Sequence, residues 1–217
     1  SIPLQGKSRC KRFQCVHNRE NGQISMNQVP LILASGSPRR KFLLKQIGLD
    51  FQVIPSDIYE DYSISLPPKD FAEHFAKLKA HSVATQFPDR LVIGADTIVV
   101  FNNKILGKPS NKEEGAEMLS RLSGQTHTVI TGVCLELKDQ KICEIFSEET
   151  RVTFQHLSKN EIQNYIETYN PLDKAGSYGI QDWFSVCVKK VNGCYYNVVG
   201  FPLSAFYQKY KAIISTF

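Results

Sequence analysis

Four short segments of this chain combine residue types able to hold and cut a small polyanion. The first is Ser35-Gly36-Ser37-Pro38-Arg39-Arg40. Ser37 suits a helix N-cap and Pro38 the first helical position, so backbone N–H groups, two serine hydroxyls and the positive end of a helix dipole would meet at one point. Arg39 and Arg40 in the first turn oppose that dipole, a cost of roughly a few tenths of a kcal/mol each that is offset if a phosphate lies between them. An ordinary capped helix with solvated arginines accounts for the same letters. The second segment, Gly94-Ala95-Asp96-Thr97, places a carboxylate directly after a buried strand, where α/β proteins commonly hold ligands. A turn aspartate bonded to its own backbone is the alternative. The third, Gly107-Lys108-Pro109, pins a lysine between a flexible and a rigid residue, and the fourth, Asp173-Lys174-Ala175-Gly176-Ser177-Tyr178-Gly179-Ile180-Gln181, is a loop with two glycines, a lysine and a terminal carboxamide. A solvated loop lysine and a plain irregular connection are the bland readings of these two.

The elements that must carry these segments alternate between strand and helix from Pro30 onward, which predicts an α/β fold on a largely buried sheet. Strands are expected at 31–34, 51–54 and 91–95. Beyond Asp96, residues 97–101 and 104–106 read as a hairpin turned at Asn102-Asn103, since asparagine tolerates the positive φ such turns require. Long strands, possible edge pairs, follow at 126–137 and 145–154, and a second hairpin turn is expected at Asn192-Gly193. Helices are predicted at 38–47, closed by Gly48, and at about 71–85 from the stripe Phe71, Phe75, Leu78 and Val83. Ser110 with Glu113 and Ser158 with Glu161 read as capping boxes opening two more, and a last helix starts near Leu203.

Composition narrows the function classes. The formal net charge is +5, but residues 1–25 hold Lys7, Arg9, Lys11, Arg12 and Arg19 against Glu20 alone, so the rest of the chain is near neutral. A nucleic-acid-tracking surface is therefore not expected in the core, and cationic function belongs in a local pocket. The first 25 residues lack periodicity and read as a disordered or appended basic extension, with Met26 a plausible start and 26–217 the folded domain. A transit peptide would show an amphipathic helix or a cleavage signature. No apolar run approaches the roughly 18 residues of a membrane helix. Cys10, Cys15, Cys134, Cys143, Cys187 and Cys194 form no CxxC pair, so buried thiols in a reducing cytosol are expected rather than a zinc site of familiar spacing. Without a nucleophilic Ser or Cys beside them, His74, His81, His127 and His156 read as structural or solvated.

Taken together, SGSPRR, GADT, LGKP and DKAGSYGIQ, with the linking phrases RLSGQTH and NVVGFPL, occur in the order and spacing of the Maf family of nucleotide pyrophosphatases, which the chain resembles from about Leu31 to Phe217. The resemblance implies a fold related to the inosine-triphosphate pyrophosphatases: a mixed twisted sheet flanked by helices, with a cleft between two lobes. It implies hydrolysis between the α- and β-phosphates of a nucleoside triphosphate in a cytoplasmic homodimer. By the resemblance, Asp96 is the general base or the site of a metal-held water, and Glu60 is the second acidic metal-site residue, with Asp57 and Asp61 as neighbours in the same loop. Ser35, Ser37, Arg39, Arg40, Lys79, Lys108 and Lys174 would hold phosphates. A triphosphate brings about four negative charges that repel an attacking water until neutralised, so cations must converge from several loops. A hard divalent ion, magnesium or manganese, suits the Asp96 and Glu60 oxygens.

Gln181 offers a donor and an acceptor side by side, matching N3–H and O4 of uracil or thymine, which points to dTTP and UTP; Thr97 and Arg39 are further specificity candidates. Where the family usually continues into glycines, Asp182-Trp183-Phe184-Ser185 follows, and Trp183 is a candidate stacking aromatic for the base. A nucleotide-binding regulator with little turnover is the alternative reading.

Overall fold

A computed structural model describes residues 29–217; the basic segment 1–25, Met26, Cys10 and Cys15 lie outside the described residues. Seven strands form one mixed sheet. Strands β1 (Leu31–Leu33) and β2 (Gln52–Val53) run parallel, and β1 lies parallel to the start of β3 (Leu91–Phe101). On its other edge β3 pairs antiparallel with β5 (Thr126–Leu137), which pairs with β6 (Ile142–Phe154), and β6 with β7 (Val188–Asn192). The short β4 (Lys104–Leu106) returns against residues 99–101 of β3, as the asparagine turn predicts: Asn102 and Asn103 have φ of 50° and 58°. Of the two long strands expected as edge pairs, β5 is interior, between β3 and β6, whereas β6 is covered by β7 only over Arg151–Phe154 and is otherwise an edge.

Helices cover both faces, as two-faced burial of the strands requires. Helix α1 (Pro38–Gln46) follows β1, with the Ser37 hydroxyl accepting from Arg40 N at 3.5 Å, and buries Leu43 and Leu44. Helix α2 (Pro68–Ala84) lies on the opposite face, against β3 and β5. Side-chain alternation along β3 therefore sends Val92, Asp96 and Ile98 towards α2, and Ile93, Ala95, Thr97 and Val99 towards the other face. That face carries the main core, joined by residues of α3 (Lys112–Leu122), α4 (Lys159–Tyr169) and α6 (Leu203–Ile214).

Two local expectations are corrected. The cap of α3 is Asn111, not Ser110: the Asn111 side chain accepts from Glu114 N at 2.8 Å, and Glu114 rather than Glu113 reaches back to Ser110 N at 2.7 Å. The cap lies one residue later because asparagine caps as well as serine, and the Glu114 carboxylate bonds the residue before the cap, so the reciprocal box is not formed. Asn192-Gly193 turns no hairpin; Gly193, with φ 126°, leads β7 into the short helix α5 (Tyr195–Val199). The Ser158–Glu161 box stands, with α4 ending on the left-handed Asn170.

Close contact between α2 and the sheet depends on two glycines. A Cβ at Gly94 would lie 2.3 Å from the Ala76 carbonyl oxygen, and one at Gly132 would lie 2.4 Å from the Ala72 carbonyl group. Both clashes are with backbone, so only glycine lets the helix sit this low. Gly132→Ala is expected to destabilise the protein by about 1–3 kcal/mol, seen as a fall in Tm of roughly 3–10 °C by scanning calorimetry. An unchanged Tm would show that α2 is free to lift.

Candidate active site

Strand β1 covers residues 91–93 of β3 and β4 covers 99–101, while β5 occupies the other edge without interruption. Residues 94–98 thus have a strand on one side and none on the other. Asp96 and Thr97 lie in this gap, and a cavity of about 700 Å³ opens beside it. Asp96 does not follow a strand, as its sequence context predicts; it sits inside an 11-residue one. The apparent strand end at Gly94 reflects the approach of α2, not a turn.

All the residues expected to act at the site except Trp183 line this cavity: Ser35, Ser37, Arg39, Arg40, Glu60, Lys79, Asp96, Thr97, Lys108, Lys174 and Gln181. On the α2 side, the buried Lys79 ammonium is hydrogen-bonded to both Glu60 Oε1 and Asp96 Oδ1 at 2.6 Å, and Lys108 Nζ lies 3.4 Å from the same Glu60 oxygen. Glu60, rather than Asp57 or Asp61, is the carboxylate that reaches the cavity; Asp61 is occupied by a local turn to Ser63 N. Tyr62 selects it. Its hydroxyl donates to Glu60 Oε2 at 2.8 Å while its ring stacks on Phe71 and fills the space left by Gly107.

On the other face, Arg40 is anchored by three groups: Nε donates to the Gly200 carbonyl at 2.9 Å, Nη1 to Ser35 Oγ and Nη2 to Thr97 Oγ1, both at 3.0 Å. Burial lowers its pKa against the attraction of Asp96 and Glu60. Thr97 Oγ1 is in turn within 2.9 Å of Thr131 Oγ1. At the mouth, Asp173 accepts from Arg39 at 2.8 Å and from Lys174 at 2.7 Å. Of these partners, Tyr62, Thr131, Asp173 and the Gly200 carbonyl were not singled out by residue type. An acid adjoining Lys174 was the one available hint.

The two carboxylates differ in character. Burial alone would raise the Glu60 pKa, but Lys79, with help from Lys108 and the Tyr62 hydroxyl, holds it down from 4.5 to about 2. Asp96 is raised, first by burial and also by the Glu60 charge, against the pull of Lys79 and Arg40. Its Oδ2 is buried without a hydrogen-bond partner. A buried carboxylate oxygen with no donor, beside a second carboxylate, is a donor set that suits a hard cation with oxygen ligands.

Gln181 is exposed at the cavity rim. The stacking role expected of Trp183 is not found: the indole packs 6.1 Å from Tyr165 and does not line the cavity. The reason is Asp182, whose carboxylate accepts from Phe184 N at 3.0 Å and from the Tyr165 hydroxyl at 3.1 Å, turning the chain so that Trp183 faces outward and Phe184 inward. Asp182 itself lines the cavity. His74, His81, His127 and His156 do not line the cavity, and His127 is held neutral by burial, near pKa 4, against the Tyr178 hydroxyl.

The family of Maf-like proteins matches residues 30–213. The chain belongs to the Maf family. A dTTP/UTP pyrophosphatase of Bacillus cereus (strain ATCC 10987 / NRS 248) is 46% identical over 196 residues, covering 90% of this chain and 94% of that protein. One of Bacillus anthracis is 48% identical over 181 residues, covering 83% and 94%. Among solved structures, a nucleoside-triphosphatase / dITP/XTP pyrophosphatase of Mycobacterium abscessus aligns over 87% of this chain and 98% of its own, at 9% identity and a TM-score of 0.45. Among the described residues, no helix of this Maf chain is long and apolar enough to cross a membrane.

Because the folded Glu60 carboxyl titrates near 2 instead of 4.5, it contributes stability that is complete above 4.5 and lost as pH falls towards 2. Denaturation midpoints measured from pH 5 to pH 2 should therefore fall less steeply in Glu60→Gln than in the parent. Equal slopes would mean that the Lys79 bridge does not hold in solution.

Proposed function

We propose that this Maf protein hydrolyses nucleoside triphosphates, dTTP and UTP among them, to the monophosphate and pyrophosphate. The observation that carries the reading is the meeting of five cationic side chains with a buried carboxylate, from both faces of the sheet, around one cavity. The curated relatives named above carry the same activity in their names.

Most of these cations are neutralised by protein carboxylates: Arg39 and Lys174 by Asp173, Lys79 and Lys108 by Glu60. Arg40 alone among them bonds only uncharged oxygens. Its charge is thus available to an incoming phosphate, with Ser35 and Ser37 at the start of α1 offering hydroxyls and backbone N–H groups beside it. Arg39, Lys108 and Lys174 lie nearer the mouth and exchange acid partners for phosphate oxygens as the chain of phosphates enters. The gain is steep because each is already held in place.

Asp96 is the catalytic base. Burial raises its proton affinity, so it accepts a proton from water more readily than an exposed aspartate does. Lys79 holds the carboxylate in place by one oxygen and leaves Oδ2 free for that water. Glu60 and Asp96 would together hold a divalent ion, magnesium or manganese, which supplies charge neutralisation and a more acidic water. Gln181 reads the pyrimidine edge from the rim. A cytoplasmic homodimer that contacts neither nucleic acid nor membrane completes the reading.

Two measurements test it. Pyrophosphate release from dTTP or UTP with magnesium should fall roughly 10²–10⁴-fold in Asp96→Asn, the usual worth of a positioned base, with triphosphate still bound; retained turnover removes Asp96 from the mechanism. In Gln181→Glu, kcat/KM for UTP should fall at least about tenfold relative to GTP, since a carboxylate cannot donate to O4. A base preference indifferent to this change would exclude Gln181 as the reader.

A further inference from the structure

On the α2 face, beyond the row that holds Asp96, lies a second cluster of chemically active side chains. Cys134 of β5 opposes Ile145 of β6, and Glu136 opposes Cys143. Residues 134, 136, 143 and 145 therefore share one face of the β5–β6 ribbon, with Cys134 and Cys143 diagonal neighbours. Their sulfur atoms are 4.0 Å apart, and one atom from each of Cys134, Glu136 and Cys143 lies within 4.8 Å of the others. This is far from the roughly 2.05 Å of a disulfide. It is close to the roughly 3.8 Å that separates two thiolates on one tetrahedral zinc with bonds of about 2.3 Å.

Glu136 supplies a second, independent observation. It is 6% exposed, and its Oε2 is buried with no hydrogen-bond partner. The other oxygen lies 2.8 Å from His81 Nδ1 on α2. An imidazole holding one carboxylate oxygen while the other stays unsatisfied is the arrangement that orients a carboxylate ligand from behind a metal. An apolar neighbour or a water-filled surface would leave no reason for a buried glutamate to keep one oxygen bare.

We propose that Cys134, Cys143 and Glu136 form a binding site for a thiophilic divalent cation of the zinc class, with His81 positioning Glu136. Cys143 is exposed, which gives an ion an entry path from solvent. On binding, each thiol loses its proton to solvent as its sulfur bonds the metal. Two sulfur ligands beside one carboxylate suit an ion that binds thiolate strongly; a hard magnesium ion does not qualify. The site ties the β5–β6 ribbon to α2 through His81, two residues from Lys79. It owes nothing to the CxxC spacing by which zinc sites are usually sought, because β-sheet register, not loop length, brings the sulfurs together.

The test uses cobalt(II) chloride added to the reduced full-length protein without oxygen. One equivalent should bind with a thiolate-to-cobalt charge-transfer band and proton release, and zinc chloride should bleach the band. Cys143→Ser, an exposed position whose change leaves the fold intact by circular dichroism, should abolish the band while pyrophosphate release with magnesium stays as in the parent. Glu136→Gln should weaken cobalt affinity at least about tenfold. In Asp96→Asn the band should persist, which separates this site from the catalytic carboxylates. Absence of the band in the parent, its survival in Cys143→Ser, or its loss in Asp96→Asn would each overturn the proposal.

Discussion

The site depends on one buried ammonium. Lys79 has almost no contact with solvent and lies between two carboxylates at 2.6 Å from each. A lone buried charge is untenable, and a pair of buried carboxylates without a cation would drive one of them to protonate. The three-charge arrangement answers both problems, yet leaves an excess negative charge and one buried Asp96 oxygen without a hydrogen-bond partner. Arg40, on the other face of the sheet, offsets part of that excess from a distance and works against the rise of the Asp96 pKa.

Keeping Lys79 where it is requires α2 to lie unusually low on the sheet. Gly132, directly opposite Asp96 across β3 and β5, and Gly94, two residues before Asp96 on β3, provide that depth. The same two strands present Thr97 and Thr131 to the opposite face, where they fix Arg40. A single strand thus serves both sides of the site, alternation sending the carboxylate one way and the hydroxyl the other. The interruption between β1 and β4 then opens the edge of β3 at the point where both are displayed.

Cations and acids face one another in pairs around the cavity. Its outer cations are held by Asp173 and Glu60 at hydrogen-bonding distance, which prevents mutual repulsion from scattering them before a ligand arrives. On the proposed function, polyphosphate would replace those acids with stronger, more numerous acceptors. Preorganisation of this kind is where a rigid α/β scaffold contributes most to a reaction with little covalent work for the protein to do.

Much of this was determined by the sequence alone. Strand and helix succession, the Ser37 cap and the asparagine turn follow from local periodicity and capping chemistry, and the eleven expected site residues from the four segments together with the family resemblance, which alone pointed to Glu60 and Lys79. Local rules erred where two signals of similar strength adjoined, as with Ser110 and Asn111, or where a glycine-asparagine pair has several uses, as at 192–193. Only the tertiary structure decided that Asp96 lies within a strand, that Tyr62 chooses Glu60 from three nearby acids, and that Asp182 turns Trp183 away from the cavity. It also decided that Cys134 and Cys143 share a sheet face with Glu136. Each of these depends on strand register or on a helix resting against a distant glycine, and such contacts leave no periodic trace along the chain because the partners are set by packing rather than by sequence separation.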